Sequence, residues 1–336
     1  MRAAKLVQTS RIRAIDDSSI SVSIAVVIVC FNSGESLARC VTSVIGQTLQ
    51  ATRVIVVDNA STDSATQDVL SALPARVEQL LLDANVGYGA AINKAAASLS
   101  DCEFLCCLNP DAFPEPTFLA ALHAAISHDA AIGSIAPLMV NAAQPNVIDG
   151  AGDVLSVSGY GWRRFHGRAI RDCDLVPTSV FSVCAGACLY RLRAITEVGG
   201  FDEQFFMYAE DLELGLRLQL AGYKCEFQPK ALVAHVGSET TGYRSDFSVY
   251  WGHRNALLLV IKTMPLGLLP FALLSHIAIT LLLCLLMARR GQLKVLSRAK
   301  WDALRLVGSF WRRRSSVARR QSVSSIASAL HWGRRQ

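Results

Sequence analysis

Charged residues make up only 18% of this 336-residue sequence and aromatic residues 7%, against 51% hydrophobic residues. So apolar a chain is not an intrinsically disordered one, and its length suffices for one large core or two smaller ones. Cysteine occurs ten times but forms no disulfide framework. Cys30, Cys106, Cys107 and Cys284 sit inside apolar runs, where a free thiol behaves as a small hydrophobe. Cys184 and Cys188 lack the second ligand pair that a structural zinc needs. A reduced, cytoplasmic setting fits these absences. No apolar segment follows the basic residues Arg2, Lys5, Arg11 and Arg13, so a secretory signal is not expected. Internal repeats and low-complexity linkers are missing from the body of the chain.

Acid is scarce at one end. From Arg289 onward thirteen Lys and Arg residues face a single acid, Asp302, and the rest of the chain carries twenty basic against twenty-six acidic residues. A basic tail of this kind suits phosphates, nucleic acid or an anionic membrane surface. Residues 265–287 contain no Lys, Arg, Asp or Glu, and at ~1.5 Å per residue they are long enough to cross a ~30 Å hydrocarbon layer. With that run beside it, the tail is expected on an anionic membrane surface and not on nucleic acid.

The body has strong strand signals. "IAVVIVC" (24–30) and "RVIVVD" (53–58) are continuous β-branched runs, the pattern of strands buried on both faces. "RVEQLLL" (76–82) and "EFLCCLN" (103–109) follow, with helical stretches between them. Four alternations predict an α/β fold, a mostly parallel sheet with helices on both faces. Residues 1–21 are expected to be loose, and 130–180 give only an irregular excursion. Beyond it, 179–192 read as a strand, 209–222 as a helix stopped by Gly222, and 230–236 as a last short strand.

Two common nucleotide devices are absent: a G-x-x-x-x-G-K-[ST] loop, and a G-x-G-x-x-G turn after the first strand. This counts against a P-loop enzyme, a dehydrogenase or a nucleotidyltransferase on such a sheet. Ligands of open parallel sheets bind at the carboxyl ends of the strands. Those ends carry Asn32, Asp58, Asn59, Asn85, Gly87, Asn109 and Asp111, a rim of amides and acids with few cations. Such a rim suits a base and ribose, with a metal ion screening phosphates.

"VIVCFNSGESLARCVTSVIGQT", "VIVVDNASTD", "NVGYGAAINKA", "LNPDAF", "GGFDEQFFMYAEDLELGLRLQLAGY" and "HVGS" occur in the order and spacing of glycosyltransferase family 2. Over roughly residues 22–260 the chain resembles that family's GT-A fold, in its rhamnosyltransferase-like branch. The resemblance implies a catalytic domain over 22–255, with a nucleotide-binding half (22–112) and an acceptor half (113–255). An apolar helix and a basic amphipathic tail occupy 256–336. It also implies an inverting transfer of a sugar, L-rhamnose from dTDP-rhamnose as the leading choice, to a saccharide or a polyprenyl-diphosphate-linked saccharide in surface polysaccharide synthesis. The setting is the cytoplasmic face of a bacterial inner membrane, with the chain peripheral or re-entrant. The alternatives are another nucleotide-dependent transferase, a nucleotidyltransferase on a similar sheet, or a catalytically inactive membrane scaffold, and Asp111, Asp211 and His235 argue against the scaffold.

By the same resemblance Asp58 is the acid on the nucleobase, and Asn85 and Gly87 form the turn against the nucleotide. Asp111 is the last acid of a D-x-D motif, and His235 is a second protein ligand to a divalent cation, Mn²⁺ or Mg²⁺. Asp211 is the catalytic base. Asn32, Asn59 and Asn109 join the donor site, and Gly186, Glu210 and Arg254 are candidates for the acceptor or phosphate. Apart from the resemblance, "GWRRFHGR" (161–168) and "HRN" (253–255) offer arginines for contact with a diphosphate, though exposed Arg is common. The sequence departs from the motif at Asn109, where an amide stands for the first acid and binds a cation less strongly. Each residue also has a plainer reading: Asp58 as a helix cap, Asn85 and Gly87 as an ordinary turn, Asp111 as an acid in the first turn of a helix, Glu210, Asp211 and Glu213 as a solvated helix start, and His235 as a structural histidine.

Overall fold

The computed structural model describes residues 23–237 and 245–332. The segment 1–21, Ser238 of the "HVGS" stretch, and Arg334 and Arg335 of the basic tail lie outside the described residues.

The first half alternates as expected: β1 (Ile24–Cys30), α1 (Gly34–Ile45), β2 (Arg53–Asp58), α2 (Ser64–Ser71), β3 (Val77–Leu81), α3 (Tyr88–Ala96) and β4 (Phe104–Leu108). The strands pair in parallel in the order β3-β2-β1-β4. The period of two in β1 explains the layering. Ala25, Val27 and Val29 join Ile92 of α3 on one face, whereas Ile24, Val26 and Ile28 join Leu37 and Val41 of α1 on the other. The chain runs from β1 outward through β2 to β3, then crosses back to place β4 on the other side of β1. Between their carboxyl ends lies a switch point, where an open sheet leaves a crevice for a ligand.

The second half completes a mixed sheet. It comprises β5 (Ala112–Pro114), α4 (Phe118–Ser127), β6 (Ile132–Asn141), β7 (Ile148–Gly150), β8 (Asp153–Leu155), β9 (Gly161–Arg163), β10 (Thr178–Ser179), β11 (Ala187–Arg191), α5 (Leu192–Glu197), α6 (Glu210–Ala221) and β12 (Lys224–His235). β11 runs antiparallel between β4 and β6, and β12 runs parallel to β6. Two expectations need correction. The strand read over 179–192 is split, with Ser179 in β10 and Ala187–Arg191 as β11, because a turn closes from Cys184 to Ala187 and the chain turns helical at Leu192. The short strand read at 230–236 is the end of the twelve-residue β12, broken in register between Gln228 and Leu232. Pro229, which cannot donate to a ladder, lies in that irregularity.

Four helices close the chain: α7 (Asp246–Thr263), α8 (Leu269–Arg289), α9 (Leu293–Arg312) and α10 (Val323–Ala329). The boundary drawn at 255/256 falls inside the continuous α7. This helix is tied to the body by buried charge. Lys262 Nζ lies 2.7 Å from Asp202 and 2.6 Å from Glu213, Arg217 holds Glu213 at 2.6 Å, and Arg313 reaches Asp202 at 2.9 Å. Removing one partner from such a buried set costs about 3–5 kcal/mol. Glu213 is therefore an internal ion-pair acid, and the solvated helix start is excluded. Between α7 and α9 on one side and open surface on the other lies α8, a helix long and apolar enough to cross a membrane. Leu269, Ala272, His276 and Met287 are its buried residues, and Phe271, Leu274, Ile277, Leu281, Leu282 and Leu285 are exposed.

Candidate active site

Two cavities of about 470 and 410 Å³ abut over the carboxyl ends of β1, β2 and β4. Tyr88, Asn109, Arg163, Met207 and Tyr208 line both. The larger also takes in Asn59, Asn85, Asp111 and His235; the smaller takes in Asp153, Gly186, Glu210 and Asp211.

The rim of the larger cavity is knitted by its own amides. Asn59 Nδ2 donates to Asn85 Oδ1 at 3.0 Å, and Asn59 Oδ1 accepts from the Val86 N–H at 3.0 Å. Asn85 Oδ1 also accepts from the Gly87 N–H at 3.0 Å. Gly87 has φ +87°, and a Cβ there would lie 2.4 Å from Phe206 O, so only glycine fits this approach. Asp58 does not cap α2; Asp63 does, accepting from the Thr66 N–H at 2.8 Å. Asp58 Oδ1 instead accepts from the Ser61 N–H at 3.1 Å at the edge of the crevice. Asn32 braces the same loop, with its Oδ1 accepting from the Thr62 N–H at 2.8 Å. Neither Asp58 nor Asn32 is among the described residues lining the larger cavity.

Asp111 follows β4 and precedes β5, so it is not a helix-start acid. Its Oδ2 accepts from the Gly237 N–H at 3.1 Å, and its Oδ1 lies 3.3 Å from His235 Nε2. Pairing of β12 with β5 sets His235 opposite Ala112, which creates this approach. His235 Nε2 is buried and makes no hydrogen bond among the described residues. Its Nδ1 lies 2.8 Å from Asp149 Oδ2. Burial pushes Asp111 up, but His235 and the Gly237 N–H outweigh it and hold the carboxyl below its usual range. An orphaned imidazole nitrogen beside a carboxylate oxygen, with a second carboxylate behind the ring, fits a divalent cation. Among the described residues no group of three acids, histidines or cysteines is arranged to hold a metal by itself.

Asp149 was not singled out by sequence reasoning, and Arg163 only as part of the arginine-bearing stretch 161–168. Both belong to the 130–180 excursion, where β7 and β9 have three residues each and show no periodicity. Arg163 Nη1 bonds to Asp149 Oδ2, the oxygen that also faces His235.

In the smaller cavity three carboxyl groups crowd together. Asp211 stands in the first turn of α6, where the helix N-terminus favours an anion. Its Oδ1 accepts from the Leu212 N–H at 2.8 Å and its Oδ2 from the Ala185 N–H at 3.3 Å. Burial raises its pKa, and these two donors oppose the rise. Burial and the Asp211 charge push Asp153 and Glu210 well up, and Asp153 Oδ1 and Glu210 Oε2 have no hydrogen-bond partner among the described residues. Donors settle where a shared charge resides. The two backbone N–H donors favour the charged form of Asp211, and burial disfavours it on Asp153 and Glu210.

The chain enters α6 under strain. Phe206, Tyr208 and Ala209 all have positive φ, a costly backbone for residues with a Cβ. Asn255 of α7 holds it: its fully buried Nδ2 lies 2.8, 2.9 and 2.8 Å from the carbonyls of Phe205, Met207 and Tyr208. Arg254, considered above for a phosphate, is mostly buried and bonds Gln204 O at 3.1 Å and Asn255 Oδ1 at 2.6 Å. It lines neither cavity among the described residues, because its guanidinium is turned inward to this loop. Gly186 does reach the seam: its carbonyl accepts from the Asn109 N–H at 2.8 Å, and a Cβ on it would lie 3.0 Å from Asn109 Nδ2.

Comparison with known proteins gives the family. The model of glycosyl transferase family 2 matches residues 25–199, just over half of the chain, and that of glycosyl transferase family group 2 matches residues 134–290. The N-acetylglucosaminyl-diphospho-decaprenol L-rhamnosyltransferase of Mycobacterium tuberculosis is 33% identical over an alignment of 239 residues that covers 65% of this chain and 77% of that protein. Among solved structures, GalNAc-T7 with UDP, GalNAc and Mn²⁺ superposes with a TM-score of 0.59 at 20% identity over 72% of this chain. The match spans 48% of the GalNAc-T7 chain, about half its length. The mannosyltransferase PcManGT from Pyrobaculum calidifontis, with GDP-Man and Mn²⁺, superposes with a TM-score of 0.52 at 14% identity, over 91% of this chain and 86% of that one. These two likenesses are of fold. With a family model over half its length and a relative at one-third identity, the chain belongs to glycosyl transferase family 2 and is a glycosyltransferase.

Proposed function

We propose that this glycosyltransferase moves L-rhamnose from dTDP-rhamnose to a saccharide carried on a polyprenyl diphosphate, with inversion at the anomeric carbon. The observation that carries the reading is the pair of abutting cavities. Asp111 and His235 stand in one and Asp211 in the other, with Asn109 at the seam. The donor occupies the larger cavity. Asp58, at the edge of the crevice beside that cavity, meets its base, the turn of Asn59, Asn85 and Gly87 abuts the nucleotide, and Asp111 and His235 hold a divalent cation, Mn²⁺ or Mg²⁺. When bound, that cation supplies positive charge for the diphosphate. The acceptor enters the smaller cavity past Gly186 and Glu210. Its hydroxyl oxygen attacks the anomeric carbon as the proton passes to Asp211, whose burial-raised pKa suits a base. The bond from the anomeric carbon to the diphosphate breaks, and its electron pair leaves with the nucleoside diphosphate. Attack from the side opposite the leaving group inverts the carbon. The name of the M. tuberculosis relative supports both sugar and acceptor for this chain.

The same reading places the chain on the cytoplasmic face of a bacterial inner membrane. Buried residues of α8 run from Leu269 to Met287, so the helix is packed along its length instead of projecting from the body. Its neighbour α9 carries Lys294, Arg298, Asp302 and Arg305 and does not belong in hydrocarbon. An in-plane α8, with its exposed leucines in the leaflet and the basic residues of α9 at the headgroups, satisfies both helices. Thermal-shift screening with dTDP-, UDP- and GDP-sugars in Mn²⁺ tests the donor, since a ligand of the folded state raises apparent stability. Stabilisation by dTDP-rhamnose is expected. Stabilisation by UDP- or GDP-sugars alone would replace the proposed donor.

A further inference from the structure

The two cavities are poor in fixed positive charge. Among their described lining residues Arg163 is the one Lys or Arg, and it lines both. It closes β9, and Nη1 bonds to Asp149 Oδ2. That oxygen also lies 2.8 Å from His235 Nδ1, so Arg163 is one carboxylate away from the pair that fits a cation. A guanidinium is a planar fork of five donors, and the bond to Asp149 uses one nitrogen. The fork can still offer donors to a phosphate.

We propose that Arg163 contacts the terminal phosphate of the nucleoside diphosphate and stabilises the charge that develops there as the sugar leaves. This rests on the glycosyltransferase reading above, with the donor in the Asp111 cavity. The bond between the anomeric carbon and the β-phosphate oxygen breaks, and the electron pair remains on that oxygen. Arg163 keeps its proton and donates hydrogen bonds, which strengthen as the oxygen gains charge. Asp149 fixes the guanidinium at the seam and His235 in the donor cavity, so one carboxylate aligns both positive groups on one diphosphate. Arginine suits the task better than lysine, because its fork matches two phosphate oxygens at once.

The test is calorimetric titration of wild type, Arg163→Gln and Arg163→Lys with dTDP and dTMP, and with UDP and UMP, in Mn²⁺ buffer. Arg163→Gln should weaken the diphosphate by about tenfold, the scale of one charge-assisted hydrogen bond, and leave the monophosphate within about twofold. Arg163→Lys should restore part of the preference for diphosphate. In turnover, kcat should fall more than the donor KM rises. Equal weakening of diphosphate and monophosphate in both variants would make Arg163 a structural partner of Asp149 and overturn the proposal, as would an unchanged preference for diphosphate. If Arg163→Gln does not fold, Arg163→Lys decides: wild-type preference overturns the proposal, and a reduced one supports it. Wild type that binds none of the four nucleotides overturns the donor reading itself, and the proposal with it.

Discussion

Asp149 Oδ2 stands 2.8 Å from His235 Nδ1, which leaves Nε2 turned toward Asp111 at 3.3 Å. A carboxylate behind a ligating imidazole fixes its tautomer and orientation. Asp149→Asn is therefore expected to fold but to need about 10–100-fold more Mn²⁺ for half-maximal activity. Activity titrated against free Mn²⁺ checks this, and an unchanged requirement would remove His235 from the cation site.

Asn255 illustrates support from a distance. One buried amide nitrogen holds three carbonyls of the strained 205–208 loop that leads to Asp211. Asn255→Ala leaves those carbonyls without it and should cost roughly 2–3 kcal/mol in urea unfolding. Because the loop leads into Asp211 and also meets the Asn85–Gly87 turn, with Phe206 O accepting from the Tyr88 N–H at 2.9 Å, kcat and donor affinity should both fall.

Lys300 of α9 reaches behind the smaller cavity. Its Nζ lies 3.0 Å from Tyr160 Oη, 2.9 Å from His253 O and 2.7 Å from His276 Nε2. Burial brings its pKa down from the usual 10.5 to about 7. The unfolded chain keeps this proton up to the higher value and the folded chain only to the lower. Folding therefore releases a proton between them, and stability from this group rises as pH climbs from about 7 toward 10. Lys300→Met removes that linkage. Melting temperatures at pH 6, 7.5 and 9 should show the variant losing ground to wild type as pH rises; a pH-independent difference would contradict the assigned shift.

Membrane docking is tested best without cutting the chain. Truncation after Asn255 would sever α7 and strip Lys262 from Asp202 and Glu213. Leu274, Leu281 and Leu285 are 68%, 64% and 65% exposed on α8, so their replacement leaves the interior intact. Gln at all three positions forfeits about 1.5–3 kcal/mol of apolar burial per residue. Fractionation should show the triple variant moving to the soluble fraction with its thermal unfolding unchanged. Retention on membranes would exclude α8 as the docking face.

Much of the first half of the sheet was legible because its strands are buried on both faces, and continuous β-branched runs such as 24–30 leave little choice. The ends of those strands then place Asn59, Asn85, Asn109 and Asp111 at one crevice without further information. The second half of the sheet hid for physical reasons. Strand β6 contains Gly133 and Pro137, which interrupt a strand pattern, and β7 to β9 are three residues each. Asp149 and Arg163 stand on those short strands, so neither carried a periodic signal. Helix α7 went unread because its polar positions, Arg254, Asn255 and Lys262, are buried by internal partners, which erases the two-faced pattern of a surface helix.

The most direct measurement concerns Asp211. Release of dTDP from dTDP-rhamnose is followed with a polyprenyl-diphosphate-linked N-acetylglucosamine acceptor, for wild type and Asp211→Asn, beside calorimetric binding of the donor. A base that only removes the acceptor proton contributes about 10²–10⁴-fold to rate and little to donor affinity. Turnover by wild type, with a loss of that size in Asp211→Asn and unchanged donor binding, is the result expected. Equal loss of binding and turnover, or turnover that survives the substitution, would contradict the assignment of Asp211 as the base.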